Sequence, residues 1–149
     1  MMGMNEEGSL TGNVGFLLGK LGQVASNRFA ERLAAIGLRP RHCWLLESLR
    51  AAPTNQLDLA RRLDVAPSVV VDMVDELERL EAVRRVRDTR DRRRQYVELT
   101  ATGRTLLGRA ARVGRDLDVE LLAELSARQR TALRDALGVI AAANGLPTG

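Results

Sequence analysis

The sequence predicts a mainly α-helical chain carrying one small β-hairpin, and three observations within residues 54–100 predict it. Two short helical stretches there are separated only by Asp64-Val65-Ala66, which leaves room for nothing but a tight corner. The second stretch is amphipathic, with Val70, Val71, Val74, Leu77 and Leu80 apolar and Asp72, Asp75, Glu76 and Glu78 facing outward. Two runs of strand character follow, Val83 to Val86 and Tyr96 to Leu99, around a tip crowded with arginine. Helix, corner, helix and charged hairpin is the order of a winged helix-turn-helix, here with long helices on both sides.

The elements follow in order. Residues 1–11, with Gly3 and Gly8 and no periodicity, read as a frayed end. From Asn13 the residues Val14, Leu17, Leu18, Leu21, Val24, Phe29, Leu33 and Ile36 recur at helical spacing up to Gly37. Gly15, Gly19 and Gly22 weaken the first half of this helix by about 1 kcal/mol each relative to alanine, so it needs packing, for which a second copy of the chain is the expected source. Pro40 fits the first position of helix two, which carries Trp44, Leu45, Leu46 and Leu49 and stops before Pro53. Thr54 or Asn55 caps helix three, whose inward face is Leu57, Leu59, Ala60 and Leu63. Pro67 opens helix four. After the hairpin, Thr100 caps helix five, whose stripe runs through Leu106, Leu107, Ala110, Val113, Leu117, Leu121 and Leu122 for more than six turns. Ser126 and Gln129 form a capping box for helix six, which is expected to bury Leu133, Leu137 and Ile140 and to stop near Asn144-Gly145.

Charge narrows the function. Of 23 basic residues only Lys20 is a lysine, and residues 84–94 hold seven arginines against two acids, a local +5 in a chain of net +4. The remainder therefore carries −1. Positive charge focused in one short segment suits a polyanion, although arginine-rich usage decorating a solvated hairpin is the plainer reading. No apolar run reaches the roughly 18 residues a membrane span requires, and the start MMGMNEEGSL lacks a basic stretch followed by an apolar one, so a cytoplasmic location and no membrane contact are expected. Cys43 and His42, the only residues of their types, cannot by themselves form a disulfide or a four-ligand zinc site, and no cofactor is expected. An enzyme is not expected either. His42 and Cys43 are consecutive on a helix and about 100° apart, and no phosphate-binding glycine motif is present.

A major groove about 12 Å wide admits one helix, and the helix after the tight corner is the one that usually enters. Pro67, Ser68, Val69 and Asp72 are then the residues that approach base edges, by hydroxyl bond, methyl contact or carboxylate acceptance from cytosine. Equally, the valines can be core and Ser68 a first-turn cap. The arginine tip suits the adjacent minor groove or flanking phosphates, with Arg92 as the first choice for insertion and Arg90, Arg93 and Arg94 as backbone partners. Asp91 is expected to orient one of them through a charge-assisted bond. Asn55 and Gln56, at the start of helix three, are positioned to bond phosphate.

The stretch LARRLDVAPSVVVDMVDELERLEAVRRVRDTRDRRRQYVELTATG resembles the MarR family of bacterial transcription regulators. The signature is the triplet Asp91-Arg92-Arg93, a strand ending in Leu99-Thr100, and Gly103, and the similarity of plan covers about residues 12–145. It implies a single domain over 1–149, with dimerisation helices at 12–36 and 101–145 around a DNA-binding unit at 39–100. It further implies a homodimer on a pseudo-palindromic operator, usually a repressor, often released by a small phenolic or carboxylate ligand or by cysteine oxidation. The sequence departs from the family's pattern in two places. Val71 and Asp72 stand where a polar residue and an arginine are usual, and Glu81 stands where glycine usually precedes the wing. Asp72 then reads a cytosine amine, or the wing carries most of the affinity, or DNA binding is weak. The last case is the second reading of the chain, a protein-interaction module of the same fold.

For sensing, the resemblance points to the junction of dimerisation helices and reading unit, near Arg41, His42, Cys43 and Trp44. Trp44 can stack on an aromatic ring, and Arg41 or His42 can pair with a carboxylate, so a small aromatic or carboxylate effector is expected. The plainer reading makes Trp44 core, Cys43 a small buried hydrophobe and His42 a surface residue. A redox role for Cys43 requires a lowered thiol pKa.

Overall fold

A computed structural model describes residues 9–146 and Thr148, so residues 1–8 of the expected frayed end lie outside the described residues. Leu10–Gly12 forms a 3-10 turn capped by Ser9. Six helices and two strands follow: α1 (Val14–Ala34), α2 (Pro40–Ser48), α3 (Gln56–Leu63), α4 (Pro67–Arg79), β1 (Val83–Arg87), β2 (Gln95–Leu99), α5 (Ala101–Leu121) and α6 (Ala127–Ala143). The chain separates into two compact units, one up to Gly114 and one from Arg115 onward.

In the first unit the core is built from one face of each short helix. Leu33, Leu38, Leu45, Leu46, Leu59, Val70, Val74 and Leu77 are essentially inaccessible, together with Met73, Ala82, Val83 and Val97. Each fully buried leucine here contributes about 1.5–3 kcal/mol of apolar transfer. Two expectations for inward faces are corrected. Leu57 is 58% exposed and Val71 38% exposed, while Met73 takes the inward position beside Val74. In α4, residues 70, 73, 74 and 77 follow the three-and-four spacing of a buried stripe, and position 71 lies about 100° away from position 70. In α3, Leu59 and Ala60 fill the inward face, which turns Leu57 outward.

The terminations are local chemistry. Asn55, not Thr54, caps α3, its side-chain oxygen accepting from the Asp58 amide at 2.8 Å. Thr54 instead pairs its backbone with Val97 in both directions, at 3.0 and 2.9 Å, and so fixes the α2–α3 connection to the edge of β2. The corner after α3 closes through Asp64 at φ 52°, a conformation that aspartate tolerates. The end of α4 places Glu81 at φ 57°, with the Glu81 amide donating to Glu78 and the Ala82 amide to Leu77, which is a Schellman closure. β1 and β2 pair antiparallel with Val83 opposite Leu99 and Arg87 opposite Gln95. The Thr100 hydroxyl then accepts from the Gly103 amide at 3.0 Å, as expected of the cap of α5. Gly103 has no room for a side chain, because a Cβ there would overlap the Ala82 carbonyl and come within 2.7 Å of Leu99 Cδ1.

The second unit contains the end of α5 and all of α6. α5 stops at Leu121, leaving Leu122 in the turn. The capping box of Ser126 and Gln129 is formed, and Gly145 at φ 72° ends the following turn. Within a single chain none of the α6 residues is buried, and Leu137 and Ile140 are 39% and 45% exposed. No described helix is long and apolar enough to cross a membrane.

Candidate nucleic-acid interface

The side chains expected to meet DNA divide into a free set and an engaged set. Pro67, Ser68 and Asp72 are exposed on the first turns of α4, Val69 is half-buried, and the Asp72 carboxylate has no ionic partner among the described residues. Ser68 does not cap the helix, whose first position is Pro67 and whose N-cap is Ala66 without a side-chain bond. At the hairpin tip Arg90, Arg92, Arg93 and Arg94 are all exposed, and Arg92 has no bonded partner among the described residues. Asp91 braces the backbone instead of an arginine head. Its Oδ1 accepts from the Arg93 amide at 3.1 Å, while Arg93 Nε and Arg94 Nε lie 3.9 Å from its carboxylate, too far for a hydrogen bond. Asp88 braces the turn in the same way, accepting from the Arg90 amide at 2.9 Å. Two short carboxylates thus shape the turn and leave the guanidinium groups projecting.

At the start of α3, Asn55 is occupied by Asp58, accepting from its amide and donating Nδ2 to Oδ2 at 2.9 Å. Gln56 Oε1 accepts two bonds from Arg85, from Nη2 at 3.1 Å and Nε at 3.3 Å. These two residues, with Asp58, Arg61, Arg94 and Tyr96, line an open groove of about 390 Å³.

The acids of α4 differ from expectation. Asp75 and Glu78 both bind Arg85 Nη1, Asp75 at 2.8 Å. Glu76 turns toward α2, where it accepts from His42 Nε2 at 2.6 Å and from Arg41 Nη2 at 3.1 Å. Three of the four outward acids are therefore ion-paired within the protein, Asp75 and Glu78 sharing one guanidinium, and Asp72 alone on the reading helix has no ionic partner among the described residues. Sequence reasoning missed Arg85 as the partner. The signal was available in the alternation of β1, which puts residue 85 on the same face as the buried Val83.

The sensing residues are also placed. His42 is 3% exposed, not a surface residue, and Trp44 is 56% exposed, not core. His42 Nδ1 accepts from the Arg39 amide at 3.1 Å, so Nε2 carries the proton given to Glu76. That bond, supported by Arg41, holds the Glu76 carboxyl below the usual carboxylate range. Glu76 occupies the donors expected for an effector carboxylate. Burial pushes the Cys43 thiol up to about 11, the opposite of the shift that thiol reactivity requires. Among the described residues no group of three or more His, Cys, Asp or Glu could hold a metal ion.

Comparison with known proteins falls on the same segment. Residues 45–94 match the model of the MarR family. Among solved structures, a MarR family protein from Mycobacterium tuberculosis in complex with DNA is 30% identical, with a TM-score of 0.74 over 85% of this chain and 96% of that one. CouR from Rhodococcus jostii RHA1, bound to p-coumaroyl-CoA, is 29% identical, with a TM-score of 0.71 over 95% and 98%. Wild-type MarR from E. coli in its apo form is 26% identical, with a TM-score of 0.74 over 85% and 96%. No curated protein matches by sequence.

Proposed function

Because the chain belongs to the MarR family of transcriptional regulators, we propose that it binds operator DNA as a homodimer and represses transcription until a small effector releases it. The observation that carries this reading is the hairpin tip, where Arg90, Arg92, Arg93 and Arg94 project without a bonded side-chain partner closer than 3.9 Å. Guanidinium heads held out by a braced turn suit phosphates and the minor groove, with Arg92 as the inserted residue. Pro67, Ser68, Val69 and Asp72 are the base-facing set, and Asp72 accepts from a cytosine amine. Asn55 and Gln56 flank phosphate at the start of α3, with Asn55 acting through the helix end that it caps. Pairing of Glu76 with Arg41, and of Asp75 and Glu78 with Arg85, offsets two of these three charges and weakens the objection that an acidic helix would be repelled by DNA.

Homodimerisation is supported by the apolar face of α1, and a two-fold dimer would set its readers about 34 Å apart, over half-sites about ten base pairs apart centre to centre. A single domain over 1–149 serving one cytoplasmic function is part of the same reading. For the effector, a small aromatic or carboxylate compound is supported by the exposed Trp44 and by the coenzyme A thioester bound to CouR. It would have to compete with Glu76 for Arg41 and His42.

The test is the salt dependence of binding to a duplex selected from a random pool. Arg92→Ala combined with Arg94→Ala is expected to flatten the slope of log affinity against log salt by about 0.9 for each phosphate that the tip no longer neutralises. An unchanged slope removes the tip from the mechanism. Failure of the unaltered protein to enrich or retard any duplex at low salt would favour the second reading, a protein-interaction module of the same fold.

A further inference from the structure

We propose that Arg85 is a positioning residue for DNA binding, whose guanidinium holds the Gln56 amide so that its Nε2 donates to a backbone phosphate at the start of α3. The proposal rests on the DNA-binding reading above. Arg85 differs from its neighbours in the basic segment. Its side chain is 20% exposed, against 69% for Arg84, 71% for Arg94 and 96% for Arg93.

Its donors are already committed to protein. Nη1 binds the carboxylates of Asp75 and Glu78 on α4, and Nη2 and Nε both bind Gln56 Oε1 on α3. With two carboxylates on one guanidinium, Arg85 has no charge left over for a phosphate of its own. What it supplies is orientation. A guanidinium can only donate, so the amide must face it oxygen first. The side chain of Gln56 is thereby fixed in one sense, and Nε2, which has no acceptor among the described residues, remains available as a donor. Gln56 lines the open groove together with Asp58, Arg61 and Arg94; Asp58 pairs with Arg61 at 3.2 Å, which leaves Arg94 as the cation that suits an anionic occupant. The grip needs a planar fork of two parallel N–H groups, which lysine does not have.

Three variants of the full chain test this: Gln56→Ala, Arg85→Lys and the two combined. Affinity is read by fluorescence anisotropy on a duplex enriched from a random pool by the unaltered protein. Lysine keeps the charge opposite Asp75 and Glu78, and thermal melting checks that the fold survives. Arg85→Lys is expected to weaken binding by about threefold to tenfold, the same factor as Gln56→Ala, because each removes one hydrogen bond to phosphate. The combined variant is expected to bind no more weakly than Gln56→Ala alone, with an unchanged salt slope. Multiplying effects in the combined variant, a full-affinity Gln56→Ala or Arg85→Lys, or a slope flattened by about 0.9 in Arg85→Lys would each overturn the proposal. If the unaltered protein enriches no duplex, the DNA-binding reading itself falls, and this inference with it.

Discussion

Glu81 occupies a backbone conformation that ordinary side chains avoid, at φ 57°, because the end of α4 needs a left-handed residue to return the Ala82 amide to Leu77. A residue with a Cβ loses about 1 kcal/mol there relative to glycine. Glu81→Gly is therefore expected to stabilise the protein by up to about 1 kcal/mol, seen as a rise of a few degrees in Tm, and a lower Tm would show that the Glu81 side chain contributes something else. Glu76 carries the second residue-scale prediction. Its pKa in the fold lies below its ordinary value of 4.5, chiefly through the bond from His42. A lowered carboxyl contributes stability that is complete above its unfolded pKa and is lost as pH falls through the folded one. Glu76→Gln should accordingly lower stability at pH 7 and lose less of it than the unaltered protein as the pH is brought below about 4.5. Parallel curves of stability against pH for the two proteins would remove Glu76 from the acid limb.

At the scale of elements, the start of α5 lies tight against the turn entering β1. Gly103 fits there only because it has no side chain. Gly103→Ala is expected to destabilise by about 3 kcal/mol or more through forced displacement of backbone, measured by chemical denaturation. A loss below about 1 kcal/mol would mean that the backbone there yields easily. The same elements show what the sequence made legible. Helix order, the Ser126 box, the Thr100 cap and the hairpin follow from spacing and from residue types with one dominant local use. The inward faces of α3 and α4 are misjudged where an apolar residue, Leu57 or Val71, adjoins the true stripe, because composition cannot tell adjacent helical positions apart when both are apolar. Pairing is least legible. Glu76 with His42 and Asp75 with Arg85 join residues 34 and 10 positions apart in sequence, and long-range partners are set by how helices dock, which periodicity does not encode.

For the whole molecule, the question is what covers the apolar residues left outside. On α1, Val14, Leu17, Leu18, Leu21 and Val24 are 40–66% exposed, and on α6, Val139 is 71% exposed. A face of this length on a helix weakened by glycines is stable when a second surface packs on it. The protein is expected to sediment as a dimer of its 16.4 kDa chain. Leu18→Glu combined with Leu21→Glu should shift it toward monomer with helical content retained, as read by analytical ultracentrifugation and circular dichroism. A monomeric unaltered protein, or a double variant of undiminished mass, would count against pairing through α1.

The backbone bridge between Thr54 and Val97 has a mechanical meaning for such a dimer. The loop before α3 is stitched to β2 and Arg85 of β1 binds Asp75 and Glu78 of α4, so a displacement of the arginine fingertips is expected to carry the reading helix with it. On the proposed reading, release of a duplex is then expected to come from a change in the span between the two jaws of the dimer.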